Sequence, residues 1–416
     1  MALMLKTEEK QLVLKAIDDL GRRVTVADVA AKTGLPVLVA NAELNKVAAE
    51  TQGHLQVSTK GDIAYEFTPG FQNVYLATGI KKTLQDIGKK IFDIGFAILR
   101  ASFGIMLVLS FIAVILLVIA AILAMNSSKD GDRDGGGLDF DFLDFMIFRD
   151  LMFWGSTSYY PPYVDYNSPS SARPAAAKSN FLHNCFSFLF GDGDPNAHLD
   201  ERQWQLVAQV IRKFHGVVTA EQIAPYTGAD PKNEDGILPV LVRFNGVPEV
   251  TENGHILYTF PSLQVSASRL EIATTPAFLR EFPRQFTNAS ADELIPVYIL
   301  AGVNFLGSWW LLFQSNTGRI PILNDMHALV VALVIYGTFF VGVPTVRYLC
   351  LQVINQRIEA RNEKKKEAAS IVNNPGKDLQ LKLAEAKNHQ IKHIQVAKND
   401  VIYTSENDLL DQQFDT

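Results

Sequence analysis

Cysteine is scarce in this chain: Cys185 and Cys350 are the only two in 416 residues. Two thiols exclude a disulfide framework, and they cannot hold an iron–sulfur cluster, which needs three or four thiolates within reach of one another. Both read as apolar fillers. Positive charge is also in deficit, with 38 Lys and Arg against 44 Asp and Glu for a formal net charge of −6. The chain has no Gly-rich loop to cradle a phosphate and no Ser or Cys nucleophile with an evident base. A non-enzymatic protein without a cofactor is expected.

What the chain does have is long apolar runs. From Phe103 to Met125 no residue is charged, enough to cross a hydrocarbon core of about 30 Å. Two further candidates are 294–313 and 327–351, separated by the polar turn 314–319; Trp309, Trp310 and Tyr348 sit where interfacial aromatics belong. The spans are nearly free of ionisable residues, unlike most pumps and channels. Gly302, Ser308, Gly337 and Gly342 would let helices pack closely.

Lys81, Lys82, Lys89, Lys90 and Arg100 precede the first span, and Arg347, Arg357, Arg361 and Lys364 to Lys366 accompany the end of the last. The positive-inside rule then places both ends in the cytoplasm, which demands an even number of crossings. Three spans break that parity. Either residues 91–125 form a tight or re-entrant hairpin, which is favoured, or Phe140–Trp154 adds a poor span carrying Asp144, Arg149 and Asp150, or the rule fails.

Two stretches are written twice. Gln11-Leu12-Val13, Ile17, Val24-Thr25, Val29-Ala30 and Thr33-Gly34 return as Gln205-Leu206-Val207, Ile211, Val218-Thr219, Ile223-Ala224 and Thr227-Gly228, at a constant offset of 194. Gly61, Ile63, Tyr65 and Phe67 return as Gly254, Ile256, Tyr258 and Phe260, at an offset of 193. One deletion separates two collinear copies. Each reads as three helices followed by a hairpin, the order of a winged helix. In the first, Thr7 opens the first helix, Thr25 caps the second, and Leu38, Val39, Ala42, Leu44 and Val47 line the third.

Winged helices often bind DNA, but phosphate contact needs cations on the third helix and wing. The first copy offers Lys46 beside Glu43 and Glu50; the second offers Lys232 and Arg243 against Asp230, Glu234 and Asp235. No nucleic-acid partner is expected. The partners are membrane lipid and either other proteins or further copies of the chain.

The fold class is thus a mainly α membrane protein with duplicated winged-helix-like (α+β) modules, transmembrane helices and a C-terminal helical hairpin. The first module covers 1–75, an amphipathic segment and the first membrane segment 76–125, and a flexible linker with aromatic interfacial stretches 126–199. The second module covers 200–263, a connector 264–293, a transmembrane hairpin 294–351, the C-terminal hairpin 352–400 and an acidic tail 401–416. Aromatic residues 181–190 suit a surface helix, a partner dock, or packing against the chain's own module.

Metal-like spacing occurs at Asp130, Asp132, Asp134 and Asp141, which match a calcium loop apart from Asp in place of the closing Glu and Gly137 at the apolar eighth position. An acidic juxtamembrane linker is the competing reading. Asp192, Asp194 and Asn196 lack the loop glycine and read as a turn into a helix capped by Asp200. His389 and His393 stand four apart on an expected helix, with no carboxylate motif beside them, and read as a solvated face.

Phe190-Gly191-Asp192-Gly193-Asp194-Pro195-Asn196, Ile237–Leu241 with Arg243-Phe244, Ile256–Gln264 and Phe278–Pro283 resemble an integral-membrane-protein family of cyanobacteria and plastids. The resemblance covers most of residues 1–400. Plant members sometimes carry an iron–sulfur cluster biosynthesis label, which implies a plastid or thylakoid setting; the cysteine count gives that chemistry no ligands. The chain opens on Met1-Ala2-Leu3 without an Arg/Ser-rich leader, as expected of a bacterial form. The function expected is a membrane scaffold or assembly factor, for which photosynthetic-membrane biogenesis is a setting. The alternatives are an oligomeric permeation protein and a membrane-tethered transcription regulator.

Overall fold

The computed structural model describes residues 2–71, 80–127, 181–232, 234–267 and 274–406. In chain order, the first copy runs α1 (Ala2–Asp19), β1 (Arg23–Val24), α2 (Val26–Thr33), α3 (Val37–Thr51), β2 (His54–Ser58) and β3 (Ile63–Glu66). Two helices follow, α4 (Ile80–Ser127) and α5 (Phe181–Phe190). The second copy runs α6 (Leu199–Lys213), β4 (Val217–Val218), α7 (Ala220–Thr227), α8 (Leu238–Phe244), β5 (Val247–Val250) and β6 (Ile256–Thr259). Then come β7 (Val265–Ser266), α9 (Ala291–Asn316), α10 (Pro321–Asp325), α11 (His327–Asn373), α12 (Lys377–Asn388), β8 (Ile394–Gln395) and β9 (Val401–Thr404). The molecule is mainly helical with small sheets, and α4, α9 and α11 are long and apolar enough to cross a membrane.

The elements divide between two units, Met1–Leu84 with Pro195–Pro283 and Gln356–Thr416 in one, and Gln85–Asp194 with Arg284–Asn355 in the other. In the first unit both copies start their second helix by the same device. The Thr25 hydroxyl accepts the Asp28 N–H at 3.2 Å while Asp28 accepts the Thr25 N–H at 3.0 Å, a reciprocal capping box. In the second copy Gln222 Oε1 makes the return half, accepting the Thr219 N–H at 2.9 Å. Gly34 (φ 74°) and Gly228 (φ 72°) end these helices in the left-handed region, which a side chain strains.

The repeated apolar positions are core. Val13, Ile17, Val24, Val29, Leu44, Tyr65 and Phe67 share one buried cluster with Val207, Ile211, Val218, Ile223, Tyr258 and Phe260. Two expectations need correction. The first helix begins at Ala2, well before Thr7. On α3, Leu38 is 77% exposed and Ala42 also faces out, while Ala40, Leu44, Val47 and Ala48 face in; the 3.6-residue stripe is narrower than the run of apolar letters.

Each hairpin is antiparallel, with Leu55 opposite Tyr65 and Pro248 opposite Tyr258. The first sheet has the order β1-β3-β2-β9, so the C-terminal strand β9 covers the β2 edge; the second has the order β4-β6-β5 and leaves β5 open. A short parallel pair joins β7 to β8. The strand at 401–404 falls where the sequence suggests acidic tail, and four residues of alternating pattern are too few to signal it.

In the second unit α4 is unbroken, which overturns the hairpin expected at 91–125. That stretch holds no proline, and Gly104 serves close packing: a Cβ there would lie 2.5 Å from the Leu182 side chain. Residues 181–190 are not a surface helix. Cys185 and Leu189 of α5 are fully buried with Leu107 of α4, Leu294 and Val297 of α9, and Phe340 of α11. A second layer joins Val114 and Leu117 to Leu311, Leu323 and Val330.

One polar node ties the apolar helices. Asn304 of α9 donates to the Ser110 hydroxyl of α4, and both are buried. Gly337 of α11 lets Asn304 and Ser308 approach, with Asn304 Oδ1 3.2 Å and Ser308 Oγ 3.3 Å from where its Cβ would be. Gly302 and Gly342 face open space instead.

Candidate functional site

The duplicated Thr-Gly turn is where each copy is held. A Cβ on Gly34 would lie 2.9 Å from the Trp204 Cβ and 3.2 Å from the Glu201 carbonyl, so the turn of the first copy sits against α6 of the second. Arg243 seals the contact, its Nε donating to the Gly34 carbonyl at 2.7 Å with its guanidinium 4.5 Å from the Trp204 ring. The only cation on α8 is therefore turned inward, where burial lowers its pKa, the largest influence, against the opposing pull of Asp200 and Glu9. At the second copy the same glycine, Gly228, meets the stem of Lys365 on α11.

Behind these turns lies a charge clasp. Asp28 pairs with Arg212 of α6 at 2.9 Å, with side chains 6% and 12% exposed. The Asp28 carboxylate also accepts from Ser266 Oγ at 2.7 Å and from the Ala267 N–H at 2.8 Å. A carboxylate with this many donors meets the requirement for burying charge. Arg23 Nη1 donates to the carbonyls of Ala267 and Val396, both at 2.7 Å, which binds the tail to the first copy.

A second clasp centres on Glu281. Arg361 donates to both its oxygens and Lys365 to Oε1 at 2.9 Å, while Asn362 hydrogen-bonds the Glu281 backbone N–H and carbonyl. Burial raises the Glu281 pKa, but the two cations outweigh it and hold the carboxyl below the usual range. Two of the bases counted toward membrane sidedness are thus engaged internally.

In the other unit Asp192 is a hub rather than a helix-entry turn alone. It accepts from Ser187 at 2.6 Å and from the Asn288 N–H at 2.7 Å, with His183 Nε2 at 3.4 Å. Burial would raise its pKa; the hydrogen bonds from His183, Ser187 and Asn288 prevail and bring it to about 2. Ser, His and Asp together suggest a nucleophile, but Ser187 bonds the carboxylate directly and no His183–Ser187 bond joins base to hydroxyl. Arg347 donates to the carbonyls of Ser187 and Phe188 at the C-terminus of α5, a favourable place for a cation. Asp194 pairs with Arg284, and Asn196 brackets the Phe282 backbone.

The remaining expected site residues fare differently. Asp130, Asp132, Asp134 and Asp141 lie outside the described residues. Among the described residues no group of three or more His, Cys, Asp or Glu could hold a metal. Cys185 is buried, whereas Cys350 is exposed rather than a core filler. The helix expected through His389 and His393 ends at Asn388, so the pair shares no helical face, and the His393 ring nitrogens are buried instead of solvated. Likewise α6 is capped by His198, with Asp200 in its first turn. Sequence gave little sign of the Asp28–Arg212 or Glu281–Lys365 pairs, whose partners stand 184 and 84 residues apart.

No family model matches the chain, and no solved structure matches it. It is similar to "Uncharacterized protein At5g03900, chloroplastic" of Arabidopsis thaliana, with 32% identity over 440 aligned positions that cover 99% of this chain and 82% of the plant protein. Nearly end-to-end likeness at this level includes both copies, the apolar helices and the tail, and the chain belongs to the family of that chloroplastic plant protein.

Proposed function

We propose that the protein is a non-enzymatic integral-membrane scaffold or assembly factor that presents two fused winged-helix modules to protein partners on the cytoplasmic face. The chloroplastic relative supports a photosynthetic-membrane setting. The observation that carries the reading is the shared core of the two copies. Two of their buried charge pairs, Asp28–Arg212 and Glu281–Lys365, are engaged inside the body. The outward faces of α3 and α8 are apolar or neutral at Leu38, Leu238 and Val242, which suits protein contact better than phosphate contact.

Membrane insertion is supported by large exposed apolar side chains along all three helices, among them Leu116, Leu123, Leu306, Phe313 and Ile335. In water such a surface would far exceed what a monomer exposes. On this reading 1–84 and 195–283, which share one unit, lie together on one side of the bilayer.

Purification from solubilised membranes tests the reading. Stoichiometric membrane-complex subunits on the full chain are the expected result. A ring of this chain alone would favour the permeation alternative.

A further inference from the structure

The second copy departs from the first at positions the fold leaves open. Gln52 and Asn245 fix the match, ending α3 and α8 in the left-handed region at φ 55° and 53°. So do Gly53 and Gly246, where a Cβ would strike the ring of Phe67 or Phe260. In that register Asn45, Lys46 and Ala49 of α3 become Leu238, Pro239 and Val242 of α8. All of these residues are exposed, Leu238 at 53% and Val242 at 74%. The first copy folds with polar or small residues at these positions, so the apolar side chains of the second serve something other than its own core.

The face continues onto β5, which only Asn245 and Gly246 separate from α8. Every residue of β5 is exposed, with Val250 at 72%. Thr251 donates its N–H to the His255 carbonyl, and antiparallel alternation then turns the backbone of Pro248 and Val250 away from β6. Proline has no N–H to offer there, so this edge is a poor template for an added strand. What it offers a partner is side chains.

The charge around this face is mostly of one sign. Among the described residues of 229–255, the exposed charged side chains are Asp230, Asp235, Glu249 and Glu252 against Lys232. The other cation, Arg243, is bonded to the Gly34 carbonyl. Asp378, its side chain 93% exposed, adds a carboxylate 3.4 Å from His255 at the β5–β6 turn. An apolar face with an acidic rim discriminates among occupants. An anionic bilayer surface repels the carboxylates. A second copy docked face to face sets acid against acid. A segment whose apolar residues are flanked by Lys and Arg satisfies both features. Leu238 and Val242, one helical turn apart, suit the matching spacing of a partner helix.

We propose that the α8–β5 face of the second copy docks a basic amphipathic helix of a partner protein, with apolar side chains on Leu238, Val242 and Val250 and Lys and Arg on the acidic rim. The proposal rests on the scaffold reading and specifies the chemistry of one partner contact.

The test places a photo-crosslinking residue at Val242 of the full chain, in membranes of the cell that makes it, and identifies the attached peptide by mass spectrometry. The expected product is a segment of another protein with apolar residues at helical spacing and a net positive charge. The same group at Ala49, the matching position of the first copy, should not capture that segment. Leu238→Asn, the residue of the first copy, should lower capture by roughly tenfold or more. Glu249→Lys with Glu252→Lys should do the same by reversing the rim. A synthetic peptide of the captured segment should bind the purified full chain and weaken as salt rises; its counterpart with Glu for every Lys and Arg should not bind. Attachment to lipid, attachment to another copy of this chain, an acidic or uncharged segment, or no product would overturn the proposal. So would capture that survives the charge reversal. Melting temperatures equal to that of the parent chain exclude unfolding as the cause of a loss; where a variant melts early, the captured sequence and its salt dependence decide. No product at Val242 while membrane-complex subunits still co-purify sinks this docking site alone, whereas absence of those subunits sinks the scaffold reading.

Discussion

At the residue scale, repetition revealed the core and concealed the clasps. Tyr65 and Tyr258 match across the copies and are 2% and 4% exposed. Tyr65 also donates to Asn45 Oδ1 at 2.6 Å. Replacing either tyrosine by Ala should cost about 3–4 kcal/mol, read as a lowered denaturant midpoint of the detergent-solubilised chain. A loss below about 1 kcal/mol would mean the position is not core. The buried pairs could not be read off the same way, because a carboxylate announces neither its partner nor its burial. Glu281 looks like any surface acid in the run 278–283. Its lowered pKa makes the Glu281 clasp complete above the ordinary 4.5 and weaker as pH falls below it. The stability gap between wild type and Glu281→Gln should therefore close in acid. A gap that stays constant down to about pH 3 would show that the carboxylate's charge is irrelevant.

At the element scale, long periodic segments were legible and short or interrupted ones were not. The Thr25 cap, the Thr-Gly turns and the two hairpins follow from local residues such as Thr25, Gly34 and Gly61. The hairpin expected in 91–125 came from counting charges, a global rule, against a stretch with no local turn signal; the local chemistry won. Strands β7, β8 and β9 exist through partners far along the chain. Among the apolar helices, the small residues named from sequence divide into Gly337, which faces Asn304 and Ser308, and Gly302 and Gly342, which do not pack. Gly337→Ala should force those side chains apart and lower the melting temperature of the detergent-solubilised chain by several degrees, roughly the effect of about 1–3 kcal/mol of overpacking. Gly302→Ala should leave it unchanged. Equal shifts would contradict the assignment of Gly337 to the helix contact.

At the scale of the whole molecule, the duplicated copies are one body, in which the turn of the first copy meets α6 of the second and Gly228 of the second meets α11. The repeated pattern was legible in the sequence, but not the packing of the two stretches on each other, because Trp204, Arg243 and Gly34 carry no mark of mutual contact. The proposed scaffold therefore has both copies on one side of the membrane, although the membrane-length helix α4 lies between them along the chain. The most direct test is side-specific labelling of Lys46→Cys and Glu252→Cys, both exposed, with a membrane-impermeant maleimide in sealed vesicles, using the wild-type chain as the background for Cys350. Both sites should react from the same side, the cytoplasmic one. Reaction of the two sites from opposite sides would contradict the fused platform and the scaffold built on it.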